Sequence, residues 1–246
     1  MNVPATMRIS ISTNDRPFGP VEWDAVQRLL PTRFIADARR FRRWHDAQAH
    51  LIARLLVRRA LHGADPSRLD DWQVSALGRP FLPGWFDFSI SHCDGIVVVA
   101  TALRGRVGVD VEPVRRPFPM AVVNAMFDPI ERRRVDAAAE PAREAVRIWT
   151  VKEAVLKAMG GGLSAATMPV DEGRTTLAYD GTDWTIRTMM VGNDVSGDFV
   201  VTVASDAAGS IEDGEPHPRL IAWTDLLERQ GVARYRVGTT AAVPCA

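Results

Sequence analysis

The order of periodicities along the chain predicts an α+β fold (α/β in the broad sense) built as two pseudosymmetric halves. Helical patterns occupy the stretch before residue 62, and three alternating or apolar strand-like segments follow between residues 86 and 112. A second helical pattern then runs from Pro141 to Met159, and three more strand-like segments follow at about 174–179, 184–191 and 198–204. Helices then strands, twice over, is the pattern of two small antiparallel sheets, each packed with its own helices. The junction falls near Arg104–Val107, giving an N-terminal half of residues 1–105 and a C-terminal half of 106–225. Residues 226–246 are read as a flexible tail. No internal repeat is strong enough to establish a duplication.

Each element has a local reason. Met7 to Ser12 alternates apolar and polar residues, as a strand does. Pro20 to Leu30 carries Val21, Ala25, Leu29 and Leu30 as an inward face, and Pro31 stops it. Thr32 can cap a further helix bearing Phe34, Ile35, Ala38 and Phe41. Asp46 can cap a long helix carrying Leu51, Ile52, Leu55, Leu56 and Leu61, with Gly63 beyond its end. Trp72 to Ala76 reads as a strand that ends in the turn Gly78-Arg79-Pro80.

Phe86, Phe88 and Ile90 alternate with Asp87, Ser89 and Ser91, the signature of a half-buried strand. Ile96 to Thr101 is apolar throughout and reads as a central strand, and Val107 to Glu112 follows the Arg104-Gly105 turn. These three strands are expected to form a meander. Asp128-Pro129 followed by Glu131 combines a cap, a proline at the first helical position and an acidic first turn. Gly160, Gly161 and Gly162 end the helix that starts at Pro141. Leu220 to Trp223 is expected to add a last strand.

Composition narrows the function classes. Thirty basic residues balance thirty acidic ones, so the totals give no support to a nucleic-acid or anionic-membrane surface. Apolar content of 46% and charged content of 24% are those of a globular protein. Two cysteines, Cys93 and Cys245, make neither a disulfide framework nor a metal site. With no long apolar run and no signal-peptide pattern, the expected product is a soluble, cytoplasmic monomer.

Two stretches carry chemistry. In Val107–Glu112, VGVDVE, strand alternation places Asp110 and Glu112 on one face. In Ile148–Gly160, IWTVKEAVLKAMG, Glu153 and Lys157 stand one helical turn apart and share a face. All but two of the thirty basic residues are arginine, and the two lysines, Lys152 and Lys157, both flank Glu153. Packing the helix across the strand would bring three carboxylates and an ammonium together. A buried unpaired carboxylate costs several kcal/mol, so such a group calls for a cation, and hard divalent ions take carboxylate and phosphate oxygens. A solvated strand edge and an ordinary helix-surface ion pair are the plain alternatives for each stretch alone. Ser91 and His92 are neighbours on a strand and point opposite ways, so they cannot act as a nucleophile–base pair.

Taken together, FSISH (Phe88–His92), VGVDVE (Val107–Glu112) and WTVKEAVLKAMG (Trp149–Gly160) resemble the signatures of the 4′-phosphopantetheinyl transferases. The likeness is to the larger, single-chain, surfactin-synthetase-activating type, and it covers about residues 30–205. The Gly78-Arg79-Pro80 turn resembles that family's Gly-Lys-Pro. The resemblance implies two pseudosymmetric halves with the active site in the cleft between them. It also implies transfer of 4′-phosphopantetheine from coenzyme A to a serine of an acyl or peptidyl carrier protein, with Mg²⁺, releasing 3′,5′-ADP. Polyketide, nonribosomal peptide or fatty acid synthases would supply that carrier.

In the same likeness Asp110, Glu112 and Glu153 would bind Mg²⁺, and Glu153, Lys157 and Asp110 would be catalytic. Gly78, Arg79 and Pro80 would lie along the adenine and ribose, Ser91 and His92 at the phosphates, and Lys152 and Lys157 also toward coenzyme A. Where the family often has a lysine pair for the 3′-phosphate, Thr32–Ala38 offers only Arg33. Arg39, Arg40, Arg43, His45 or His50 are the substitutes, with Arg43 the one assigned to coenzyme A. Apolar and basic residues in Phe118–Arg134 are the expected docking surface for an acidic carrier helix. A relative that binds without catalysing, or another Mg²⁺-dependent phosphotransferase, is the alternative.

Overall fold

The computed structural model describes residues 7–61, 66–117, 120–161, 168–171, 173–193, 197–207, 219–221, 226 and 237–238. Strand β1 (Met7–Asn14) opens the chain, followed by helices α1 (Pro20–Leu29), α2 (Thr32–Ala38) and α3 (Trp44–Ala60). A 3-10 turn (Pro66–Asp71) leads to the short pair β2 (Gln73–Val74) and β3 (Pro80–Phe81). Then come β4 (Asp87–Cys93), β5 (Gly95–Ala102) and β6 (Val107–Pro113). Helices α4 (Met120–Met126), α5 (Pro129–Ala137) and α6 (Pro141–Met159) precede β7 (Thr176–Tyr179), β8 (Thr182–Asn193) and β9 (Gly197–Ser205). Two short strands, β10 (Arg219–Leu220) and β11 (Val237–Gly238), complete the described chain.

Two sheets form the centre. One has the order β10-β1-β5-β4, and the other the order β11-β8-β9-β6 with β7 alongside β8. Strand alternation divides the core into three. Val97, Val99 and Phe88 face α1–α3, together with Leu51, Ile52 and Leu56. The opposite face of that sheet, with Ile9, Ile11, Val98 and Ala100, meets Val107, Val109, Val111, Val201 and Val203 of the second sheet. The outer face of the second sheet packs Ala204 and Ile186 against Ile148, Trp149, Val151 and Val155 of α6. The layers therefore run helices, sheet, sheet, helices, and the two sheets share an apolar central layer.

The expected meander is corrected at its third strand. Strands β4 and β5 pair as predicted, with Ser91 opposite Val98, but β6 leaves that sheet and pairs with β9, placing Asp110 opposite Thr202. Adjacency along the chain favoured a meander; what decides is that β6 finds its backbone partners in β9 and only side-chain partners in β4. The chain also returns, since Ser10 and Ile11 of β1 pair in parallel with Arg219 and Leu220 of β10. The expected end of that strand at Trp223 and the expected tail lie outside the described residues, apart from Leu226, which is buried, and β11.

Most local expectations hold. Val21, however, expected inward on α1, is 80% exposed, and Val26 takes the buried place. Thr32 is the first residue of α2, with Pro31 at the cap. Helix α3 begins at Trp44 with Arg43 at its N-cap, so Asp46 stands in the first turn, where its charge suits the positive helix end. Phe41, expected inward, is 45% exposed in the turn between α2 and α3. Asp128 caps α5 by accepting from Ile130 N and Glu131 N at 2.7 and 2.8 Å. Gly160 closes α6 with φ of 75°, the left-handed conformation that costs glycine least.

Candidate active site

The site forms where α6 lies across β6, and one glycine permits that approach. A Cβ on Gly108 would fall inside the contact radius of the Ala154 carbonyl oxygen and 2.5 Å from Ala158 N. Both are helix backbone atoms, so any side chain at 108 would push α6 off the strand. With only hydrogen there, the face of α6 carrying Glu153 and Lys157 comes down beside Asp110, two residues further along β6.

Lys157 Nζ donates to Asp110 Oδ1 at 2.6 Å and to Ser91 Oγ at 2.9 Å. Ser91 Oγ in turn donates to Asp110 Oδ1 at 2.9 Å. Asp110 is 3% exposed, and its second oxygen, Oδ2, is buried without a hydrogen-bond partner. Glu153 Oε1 is likewise buried and unpartnered. Burial raises the Glu153 carboxyl above its ordinary pKa, the Asp110 charge adds to the rise, and Lys157 and Arg116 oppose it. A half-buried carboxyl raised in this way is a better base than one in water.

Glu112 stands at the far end of the same strand face and pairs with Arg116, one helical-turn spacing along the chain. The Arg116 guanidinium also lies over the Trp149 ring, 5.4 Å from its centroid. Among the described residues no three His, Cys, Asp or Glu side chains are gathered closely enough to form a ready cation site. Two orphaned carboxylate oxygens, on Asp110 and Glu153, are what the chain offers a hard cation.

The Gly78-Arg79-Pro80 turn does reach this place. It lines one cleft with Ser89, Lys157 and Gly160. Arg79, however, is occupied: its guanidinium donates to Asp87 Oδ2 at 2.6 Å and to the Val107 carbonyl at 2.9 Å. It thereby ties the turn to both sheets. His92 lies on the exposed side of β4, and surrounding protein lowers its imidazole pKa, with Lys157 and Arg54 adding to that and Asp46 and Asp94 opposing it.

Lys152 is corrected. It is 1% exposed and points away from the cleft, donating to the Met126 carbonyl at 2.5 Å and to Glu131 Oε2 at 2.8 Å. Adjacent helix residues are about 100° apart, so Lys152 cannot share the Glu153 face. Its partner Glu131 is also 1% exposed on its side chain and accepts from Val170 N and Asp128 N, both at 2.8 Å. This buried pair joins the ends of α4 and α5 to α6. The Asp128 cap and the acidic first turn were legible in the sequence; that Glu131 closes a capping box and receives an interior lysine was not.

The basic residues before α3 are mostly engaged. Arg33 donates to the Leu69 and Asp70 carbonyls at 2.6 and 2.8 Å. Arg40 stands 3.9 Å from Asp37, and Arg43 pairs with Asp94 in the β4–β5 turn. The His45 ring stacks on Trp44, with centroids 3.6 Å apart. His50 is different, because its Nε2 is buried without a partner. Burial, and then the charge of Arg54, lower its pKa to about 4. Arg54 lies over the Trp72 ring at 4.8 Å, and burial brings its pKa down to about 10.

The site is a carboxylate–ammonium pair beside an open cleft in a two-sheet α+β fold. The sequence profile of the 4′-phosphopantetheinyl transferase superfamily matches residues 106–204, the stretch holding β6, α6 and the second sheet. The chain is 30% identical over 220 residues to a phosphopantetheinyl transferase of Thraustochytrium, covering 76% of this chain and 73% of that one. It is 27% identical over 186 residues to a putative 4′-phosphopantetheinyl transferase of Synechocystis, covering 70% and 73%. With a 4′-phosphopantetheinyl transferase of Bacillus subtilis the identity is 27% over 173 residues, covering 68% and 75%. The chain belongs to the 4′-phosphopantetheinyl transferase superfamily and is an enzyme of that family.

Proposed function

We propose that the protein transfers 4′-phosphopantetheine from coenzyme A to a serine of an acyl or peptidyl carrier protein, with Mg²⁺, and releases 3′,5′-ADP. The observation that carries this reading is the pairing of Lys157 with Asp110 beside two buried, unpartnered carboxylate oxygens, at the mouth of the cleft lined by Gly78, Arg79 and Pro80. Carboxylate oxygens that find no donor inside the protein fit a hard cation whose remaining ligands are water and phosphate oxygens. Asp110 and Glu153 would hold that ion, and Glu112 could join once released from Arg116. When bound, Mg²⁺ would neutralise charge on the pyrophosphate.

The chain's own residues then divide the work. The carrier serine gives its proton to Glu153, directly or across a water, as its oxygen forms the new bond to phosphorus. The bond from that phosphorus to the oxygen of the 3′,5′-ADP group breaks, and the nucleotide leaves with the electron pair. Lys157 meets the charge that builds on the pyrophosphate oxygens. Positioning and charge neutralisation supply most of the catalysis in phosphoryl transfer. His92, at the open side of β4, would meet a phosphate that enters from solvent.

The carrier would dock on the outer surface of α4 and α5. Ile130 is 65% exposed there beside Arg132 and Arg133, an apolar contact flanked by positive charge. Phe118, part of the same expectation, lies outside the described residues. The protein is proposed to act as a cytoplasmic monomer serving polyketide, nonribosomal peptide or fatty acid synthases. Among the described residues no helix is long and apolar enough to cross a membrane.

The test is incubation with coenzyme A, Mg²⁺ and an apo carrier protein, followed by intact-mass spectrometry. One phosphopantetheine should appear on the carrier serine. Asp110→Ala and Glu153→Ala should each lower the transfer rate by about 10²–10⁴-fold, the range for loss of a general base or charge-stabilising group. Wild-type protein that modifies no carrier, or full activity in either variant, would overturn the reading.

A further inference from the structure

Helix α6 is held to the second sheet at three places. At Gly108 the strand gives way to the helix backbone of Ala154 and Ala158. At Asp110 it receives Lys157. The third place lies one strand over. Thr202 of β9 stands directly opposite Asp110, and Thr188 of β8 directly opposite Thr202, so the three form one polar row across the sheet. Cross-strand neighbours share a face, and this is the face that α6 covers.

Thr150 of α6 completes the row. Its Oγ1 donates to the Arg147 carbonyl at 3.0 Å and stands 2.8 Å from Thr202 Oγ1, which is 3.0 Å from Thr188 Oγ1. A hydroxyl has a single proton. With the Thr150 proton given to Arg147, Thr202 donates to Thr150 and Thr188 donates to Thr202. The result is a one-way chain that ends on the helix. Thr150 and Thr202 are both 0% exposed, so solvent competes for neither hydroxyl.

Along α6, Thr150, Glu153 and Lys157 follow at steps of three and four and share one face. Thr150 and Lys157 each bond to the sheet, whereas Glu153, between them, has its Oε1 buried without a partner. The helix therefore sets the place of Glu153, and it is pinned to the Asp110 row on either side of that residue. Apolar packing under the rest of α6 is non-directional and permits small slides; a hydrogen bond with its narrow range of length and angle does not.

We propose that Thr150 and Thr202 are positioning residues, whose hydroxyl pair fixes the height of α6 on the sheet and so aims Glu153 at the carrier serine. The inference rests on the proposed role of Glu153 as the base in phosphopantetheine transfer.

The experiment compares Thr150→Val, Thr150→Ser and Thr188→Val. Valine keeps the shape of threonine without the hydroxyl, serine keeps the hydroxyl, and Thr188 is the end of the chain away from the helix. Three things are measured: melting temperature, coenzyme A affinity in EDTA by calorimetry, and kcat and KM for an apo carrier at saturating Mg²⁺. In Thr150→Val the Thr202 proton can turn to Thr188. Its melting temperature should therefore fall by only about 2–4 °C, the shift that one net hydrogen bond gives in a chain of this size. Its kcat should fall by about 10²-fold, the cost of misplacing a reacting group by about 1 Å. KM and coenzyme A affinity should stay within about twofold of wild type, as for an interaction that acts only in the transition state. Thr150→Ser should restore most of the lost kcat, and Thr188→Val should lose similar stability with kcat unchanged. Where Thr150→Val does not fold, Thr202→Val removes the same bond from the sheet side and carries the same comparison.

Wild-type kcat in folded Thr150→Val, or an equal fall in Thr150→Val and Thr188→Val, would overturn the positioning role. A raised KM with unchanged kcat, or no recovery in Thr150→Ser, would overturn it too. Wild-type protein that modifies no carrier, or Glu153→Ala that transfers at full rate, would instead overturn the underlying reaction, and both are read without any threonine variant.

Discussion

Histidine 50 shows how an interior residue reports on its surroundings. Its imidazole lies against Phe34 and Phe41, and its pKa is lowered to about 4 from an ordinary 6.5, chiefly by burial. The unfolded chain takes up this proton below about pH 6.5, while the folded protein takes it up only below about pH 4. Unfolding is therefore linked to proton uptake between those values, so stability should fall as pH drops from 6.5 to 4 and the loss should level off below. Melting temperatures of wild type and His50→Gln at pH 7 and pH 4.5 measure this. The variant should lose less on acidification; an identical loss would assign the acid sensitivity elsewhere. Coenzyme A bearing a 3′-phosphate near this ring would shift the balance the other way, favouring the charged imidazole.

At the scale of elements, the contact of α6 with β6 builds the site. Gly108→Ala places a methyl group against helix backbone at Ala154 and Ala158. The expected cost is about 1–3 kcal/mol, typical of overpacking. Transfer should fall further than stability, since Glu153 and Lys157 move away from Asp110. Chemical denaturation paired with transfer rates would show this, and an alanine variant with wild-type activity would contradict the close approach.

The Lys152–Glu131 pair holds the other side of α6. Lys152→Met should cost about 3–5 kcal/mol in chemical denaturation, by leaving the buried Glu131 carboxylate without its counter-charge. A loss below about 1 kcal/mol would contradict a structural role for the pair. Period-two and one-turn spacing put Asp110 with Glu112 and Glu153 with Lys157, while the meeting of the two faces depended on the helix packing across the strand, and Glu112 is taken by Arg116. The spacings could not say that Lys152 turns inward, because its partner Glu131 stands far along the chain on α5. Nor could they show β6 changing sheets, since alternation specifies which face a residue takes and leaves the choice of neighbouring strand open. Asp87, Ser89 and Ser91 were visible as the polar side of a strand, and only the second sheet's edge gave that side its function.

Over the whole molecule, two helix-covered sheets share one apolar layer, and their touching edges hold the proposed site. Arg79, Asp87 and the two serines bind the edges together with side chains, where hydrogen bonds can be broken singly. The central claim is that this join is a phosphopantetheine-transfer site served by Asp110, Glu153 and Lys157. Its most direct test is a single reaction followed two ways, with intact mass read on the carrier and 3′,5′-ADP read in solution. The account predicts equal molar amounts of holo carrier and released nucleotide, both dependent on Mg²⁺ and both lost in Glu153→Ala. Nucleotide released at the same rate without any carrier, or carrier modified equally well by Glu153→Ala, would contradict it.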